Sequence, residues 1–224
     1  METIVISIGG SVLFPEEIDE FFFKKLIKLL NKLSNKYRIY LIIGGGKTAR
    51  RYIKLGRTLG LNENKLDEIG IKVTRINAEI LVNLIINSNK KIPCSTNEAN
   101  NMTNKIIIMG GTTPGHSTDM VGAELALKTH ASKFIIATNV DGVYDNDPAE
   151  FLNAKKYDEI SIDELIKKYG TNWEIAGKNM VIDGPALEII KNGKITTFVL
   201  NGKNLDELEK AINNQKFYGT KIKN

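Results

Sequence analysis

Apolar, β-branched runs that stop abruptly at glycine set the strongest limit on how this chain folds. Four times along its 224 residues such a run ends in a polar, glycine-bearing segment. Residues 4–8 lead into Gly9-Gly10-Ser11, 40–43 into Gly44-Gly45-Gly46-Lys47, 105–109 into segment 110–119, and 134–138 into segment 139–147. Between these runs, apolar residues recur at helical spacing. Phe22, Leu26, Leu29 and Leu33 predict an amphipathic helix over about 16–34, residues 48–59 a second, and Leu66, Ile69, Val73, Ile76, Ile80 and Leu84 a long third. Further helices are expected over 120–128, 161–168, from 184–185 onward and 205–212, with a strand at 195–200 and an edge strand in the tail at 219–222. This alternation defines an α/β fold around a largely parallel sheet. Ligands of such sheets bind at the carboxyl ends of the strands, where the four glycine-bearing segments lie. No internal repeat and no Pro/Gly/Ser linker divides the chain, so 1–224 is read as a single domain.

Composition narrows the class. Hydrophobic residues at 42% and charged residues at 25% describe an ordinary globular chain. The lone Cys94 has no partner for an intramolecular disulfide, and no run approaches the roughly 18 apolar residues of a membrane span. With no secretory-type start, a cytoplasmic location without membrane attachment is expected. Lys and Arg number 31 against 26 Asp and Glu, a formal charge of +5. That surplus does not amount to a nucleic-acid footprint: only five of the bases are arginine (Arg38, Arg50, Arg51, Arg57, Arg75), and the lysines are scattered. An anionic small molecule would use it equally well.

The loops carry the chemistry. Gly44-Gly45-Gly46-Lys47-Thr48-Ala49-Arg50-Arg51 runs from a strand into a helix. Glycine lets backbone N–H groups approach a phosphate, the helix start favours negative charge, and Lys47 and Arg50 supply cations. The spacing is neither a Walker A loop nor a Rossmann fingerprint, and the alternative is a plain tight turn. Gly9-Gly10-Ser11 holds the equivalent place after the first strand. Two such loops suit one polyphosphate or two phosphorylated molecules facing each other. In segment 110–119, Ser117 or Thr118 is placed to cap a helix. Asp119 is either a first-turn acid or an organiser of nearby cations, and His116 either a ligand contact or a solvated loop side chain. His130 is read as structural. Tyr144 and Asp147 offer a flat ring and an acceptor for a nucleoside, although spacing alone fits a turn-rich connection. No Ser/His/Asp or Cys/His set is apparent, and Cys94 is read as a small residue near a strand. Segment 172–183, with Trp173, is open between a cover over the nucleotide and a surface loop.

The motifs IGGSVL, IIGGGKTARRYI, GGTTPGHSTDM and ATNVDGVYDNDP, in this order and at these separations, closely resemble the amino acid kinase superfamily. Within it the resemblance is nearest to the short archaeal type of uridylate (UMP) kinase. The resemblance implies a three-layer αβα sandwich that moves the γ-phosphoryl of ATP to UMP, with Mg2+ accompanying ATP and no metal-ligand residue assigned. It implies an acceptor half over about 1–130, an ATP half over about 131–224, and a homohexamer built from dimers. By motif position Gly9, Gly10, Ser11, Gly46 and Arg50 would lie along ATP, and Thr138, Asn139, Tyr144 and Asp147 would hold its adenosine. Gly44, Gly45, Thr112, Thr113, Pro114, Gly115, His116, Ser117 and Thr118 would surround UMP. Asp67, otherwise only a charge on the third helix, would bind the UMP ribose, and Asp119 would be catalytic.

One position departs from the pattern. Many members of the superfamily carry a lysine two residues before the first glycine, where this chain has Ser7. Neutralising charge is most of what a phosphoryl-transfer site supplies. Lys47, with Arg50 and magnesium, is therefore expected to cover it. Two rivals remain: a kinase for another acceptor such as isopentenyl phosphate, against which the absence of histidine just after the second glycine loop counts, and a silent nucleotide-binding protein, which Ser7 favours.

Overall fold

The computed structural model describes residues 1–171 and 181–224. Its seven strands are β1 (Glu2–Ile8), β2 (Tyr37–Ile43), β3 (Ile106–Met109), β4 (Lys133–Thr138), β5 (Glu159–Ser161), β6 (Thr197–Asn201) and β7 (Thr220–Lys223). They form one sheet in the order β3-β2-β1-β4-β6-β7-β5. All pairings are parallel except β6 with β7. The tail strand is therefore not at the edge as expected. It lies between β6 and the three-residue β5, which pairs Ile160 with Ile222 and is too short to announce itself in the sequence.

Both faces of the sheet are covered, and the strands show it by alternation. Ile4, Ile6 and Ile8 of β1, with Ile39, Leu41 and Ile43 of β2, face a core closed by α2 (Glu20–Leu33), α4 (Glu63–Leu84) and α9 (Leu205–Ile212). Val5, Tyr40 and Ile42 face the opposite core, closed by α6 (Thr118–Lys128), α7 (Ile162–Tyr169) and α8 (Gly184–Gly193). This is the expected α/β sandwich of three layers. Helix α2 begins four residues later than its apolar spacing suggests, because the Asp19 side chain accepts from Phe22 N at 2.9 Å and caps it there. Two short helices, α1 (Gly10–Leu13) and α5 (Thr96–Asn100), had no periodic signal to give. Cys94 is exposed in the turn before α5, not beside a strand. His130, exposed just past the Thr129 C-cap of α6, has φ of +49° and donates its N–H to Leu127 O at 3.2 Å. No helix among the described residues is long and apolar enough to cross a membrane.

The chain winds outward from β1 through β2 to β3, then returns to place β4 on the other side of β1. That reversal opens a crevice at the carboxyl ends of β1 and β4. The loops after β1 and β2 meet there backbone to backbone. A Cβ on Gly10 would stand 1.9 Å from Gly46 N, and one on Gly44 would stand 2.4 Å from Gly10 N. Gly46 also has φ of +67°, a left-handed conformation that starts α3 (Gly46–Thr58) two residues ahead of the expected Thr48. Gly10→Ala should lower stability by about 1–3 kcal/mol through this overlap, read as a fall of several degrees in Tm. An unchanged Tm would show that the two loops do not interlock.

Candidate active site

Helix α4 builds one wall of the crevice. Its Asn77 Nδ2 donates to Gly44 O at 2.9 Å, fixing the second glycine loop. Its Thr74 Oγ1 accepts from Gly111 N at 2.7 Å, and its Arg75 donates to the carbonyls of Gly111 at 3.1 Å and Thr112 at 3.0 Å. Near the start of the same helix, Asp67 Oδ2 accepts from Gly115 N at 2.8 Å. One helix thus pins both loops that follow β2 and β3. The space between them is a cleft of about 370 Å³ whose lining includes Gly9, Gly10, Ser11, Gly45, Gly46, Arg50, Asp67, Thr113, Gly115, His116, Ser117 and Thr118.

A second cavity, about 490 Å³, opens beside β4 and includes Ser11, Arg50, Thr138, Asn139, Tyr144 and Asp147 in its wall. Its loop is pinned in the same manner as the first. Lys168 Nζ, from α7, donates to the carbonyls of Tyr144 at 2.9 Å and Asp145 at 2.6 Å, while Asp145 Oδ1 accepts from Lys155 N. Burial, followed by the nearby Asp141 carboxylate, holds the Tyr144 phenol above its ordinary pKa and therefore neutral. Ser11 and Arg50 belong to both cavities. The Arg50 guanidinium makes no hydrogen bond or ion pair among the described residues. The first turn of its helix carries no acid and no side-chain cap, so the amide end is open to an anion.

Beneath this junction lies an acidic pair. Ser7 Oγ, buried two residues before Gly9, donates to Asp119 Oδ1 at 2.7 Å. Ser117 caps α6 by accepting from Met120 N at 2.9 Å and donates its hydroxyl to Asp183, which caps α8 by accepting from Ala186 N at 2.9 Å. Two helix N-termini thereby bring Asp119 and Asp183 close together. Loss of solvent, and then the Asp183 charge, push the Asp119 carboxyl up to about 7, with the Ser7 hydrogen bond opposing them. No basic side chain pairs with either acid among the described residues.

Five of the expected site residues line neither cavity. Gly44 is spent in the loop interlock, Thr112 and Pro114 stand outside the cleft wall, and Asp119 lies behind it. Lys47 places its ammonium 2.7 Å from Glu16 Oε2, with Arg51 on the other oxygen of the same carboxylate, and it opens onto a separate pocket with Pro15 and Lys203. His116 lies 3.7 Å from Glu124 Oε1 and lines the cleft. Thr74, Arg75, Asn77, Lys168, Tyr169 and Asp183 were not anticipated. For Thr74 a signal existed: it follows Asp67 by one heptad and so shares its helix face. Of segment 172–183, expected as a cover or a surface loop, residues 172–180, including Trp173, lie outside the described residues, and Val181 borders the second cavity. No cluster of three or more His, Cys, Asp or Glu side chains suited to a metal occurs among the described residues.

Comparison with known proteins shows the family and the fold. The amino acid kinase family model matches residues 2–201. The uridylate kinase of Methanobrevibacter smithii is 41% identical over 222 residues, 98% of each chain, and that of Thermoplasma acidophilum is 42% identical over 99% of this chain and 96% of its own. The crystal structure of the Archaeoglobus fulgidus uridylate kinase superposes with a TM-score of 0.86 at 38% identity, covering 99% of this chain and 100% of that one. The chain belongs to the amino acid kinase family.

The raised Asp119 carboxyl predicts a pH dependence in the ligand-free protein. Its folded pKa of about 7 exceeds the ordinary 3.8, so the neutral form favours the folded state and that contribution is lost as pH rises through this window to about 7. The Tm difference between wild type and Asp119→Asn should therefore shift against wild type from pH 4 to pH 8. A pH-independent difference would contradict the burial assigned to Asp119.

Proposed function

We propose that the chain is a nucleoside monophosphate kinase that transfers the γ-phosphoryl of MgATP to UMP, giving UDP and ADP for pyrimidine nucleotide synthesis in the cytoplasm. The observation that carries this reading is the pair of cavities meeting at Ser11 and Arg50, one on the acceptor-loop side and one on the Tyr144 side. Uridylate kinase relatives aligned over nearly the whole chain support the choice of acceptor. The single chain divides by role, about 1–130 holding UMP and about 131–224 the adenosine of ATP, with Gly9, Gly10 and Ser11 reaching across to the ATP phosphates.

In this reading Tyr144, Thr138, Asn139 and Asp147 hold adenosine. Asp67 takes the UMP ribose, and Gly45 with the loop from Thr112 to Thr118 surrounds UMP. Gly46 and the open end of α3 receive phosphate oxygens. A phosphate nucleophile is already ionised near neutral pH, so the protein needs to align two anions and hold their charge without a strong base. Arg50, without a partner among the described residues and shared by both cavities, takes the central share of that charge. Lys47 joins it only by leaving Glu16. Magnesium brought by ATP supplies the remaining neutralisation of the phosphates. The residues present fit such a cation, because Asp119 and Asp183 form an acidic pair that, among the described residues, is balanced only by neutral donors. Assembly into a homohexamer from dimers is supported by exposed apolar side chains in a row on α4 (Ile76, Ile80, Leu84) and on α3 (Tyr52, Leu55, Leu59).

The second reading, a silent nucleotide-binding protein, draws on Ser7 in place of the superfamily lysine. A coupled phosphate-transfer assay with UMP, CMP, dTMP and isopentenyl phosphate separates the readings. Transfer to UMP is expected. Transfer to isopentenyl phosphate alone would reassign the acceptor, and tight ATP binding with no transfer would favour the silent protein. Arg50→Ala should lower kcat by about 10²–10³-fold, whereas Lys47→Ala should cost less than about tenfold. The reverse order would return the central charge to Lys47.

A further inference from the structure

We infer that Arg75 is the positioning residue of the acceptor loop: from outside the cleft it fixes two consecutive peptide planes and so aims the amide of the second, Thr113 N, at the acceptor. This rests on the acceptor side assigned above. Arg75 is absent from the cleft lining, yet its Nε and Nη2 donate to the carbonyls of Gly111 and Thr112, a fork matched to two neighbouring acceptors. Those carbonyls belong to the peptides whose N–H groups are Thr112 N and Thr113 N. In a trans peptide the C=O and N–H point in opposite directions, and the chain has no cis bonds. Both amides therefore point away from the guanidinium, and neither donates to any group among the described residues.

The rest of the loop leaves little freedom to undo this. Gly111 N is held by Thr74, Gly115 N by Asp67, and a Cβ on Gly110 would stand 2.5 Å from Thr74 Oγ1 and 2.7 Å from Arg75 N. The loop lies directly against the helix at Gly110, with Arg75 gripping the next two residues. An amide of fixed direction at Thr113, which lines the cleft, suits an oxygen acceptor, whether on a planar base or on a phosphate. Without the fork both peptide planes can turn, and the acceptor loses a donor that had been set before it arrived.

Arg75→Met and Arg75→Lys test this through substrate affinities, measured by calorimetry for UMP and for ATP separately, with Tm alongside. Arg75→Met should weaken UMP binding and raise its KM by about tenfold while ATP affinity stays within about twofold, and Arg75→Lys, a single-point donor, should fall between it and wild type. Unchanged UMP affinity, or UMP and ATP affinities falling together, would overturn the assignment. If Arg75→Met does not fold, Arg75→Lys decides it: UMP binding weakened at least about threefold with ATP unaffected supports the role, and wild-type UMP binding removes it. A wild-type protein that binds UMP but transfers no phosphate would instead defeat the kinase reading and leave the Arg75 question answerable by binding alone.

Discussion

The close contact between the loops after β1 and β2 governs the layout of the site. Gly10 rests on the backbone of Gly46, and Gly44 on that of Gly10, at separations that leave no room for a side chain. Both loops are also tied to neighbouring strand ends, Gly9 N to Ala137 O at 2.9 Å and Gly44 N to Ile8 O at 3.0 Å. The floor of the crevice is thus set by backbone packing before any ligand arrives. Glycine permits this approach of one loop to the other, and in the proposed function it also admits phosphate. With that floor fixed, Ser11 and Arg50 fall where the two cavities join.

Charge is arranged around the floor in a consistent way. Cations that shape the loops are engaged with backbone carbonyls: Arg75 from α4 on one side and Lys168 from α7 on the other. Lys47 and Arg51 share Glu16 at the surface, an exposed arrangement worth little to stability. Arg50 has no partner among the described residues. Below it, Ser7 gives Asp119 a neutral hydrogen bond where a lysine would have given it a charge, so Asp119 and Asp183 retain their mutual repulsion. Such a pair is costly alone, and in the proposed function a cation arriving with the nucleotide would relieve it.

Much of this was legible in the residues. The strands β1, β2, β3 and β4 declared themselves by unbroken apolar runs, and the loops that follow them by glycine, because both signals are local. Ser117 as a cap and the long α4 were likewise visible. The edge of the sheet was not, since β5 has three residues and gains its place only by pairing with the distant tail. The site residues that escaped notice share that cause. Arg75, Lys168 and Asp183 act on partners 36, 23 and 66 residues away, and nothing in their own neighbourhoods marks them. Lys47 shows the converse: its local setting pointed to phosphate, and a carboxylate 31 residues earlier holds it instead.

In the proposed function, donor and acceptor meet end to end over the glycine floor beside Arg50. A crystal structure with UMP and a non-hydrolysable ATP analogue tests it most directly. Adenine is expected beside Tyr144, UMP between α4 and the Gly111–Thr118 loop, and the two sets of phosphates facing each other at Ser11 and Arg50. UMP seated in the Tyr144 cavity, or phosphates that converge away from the glycine floor, would contradict it.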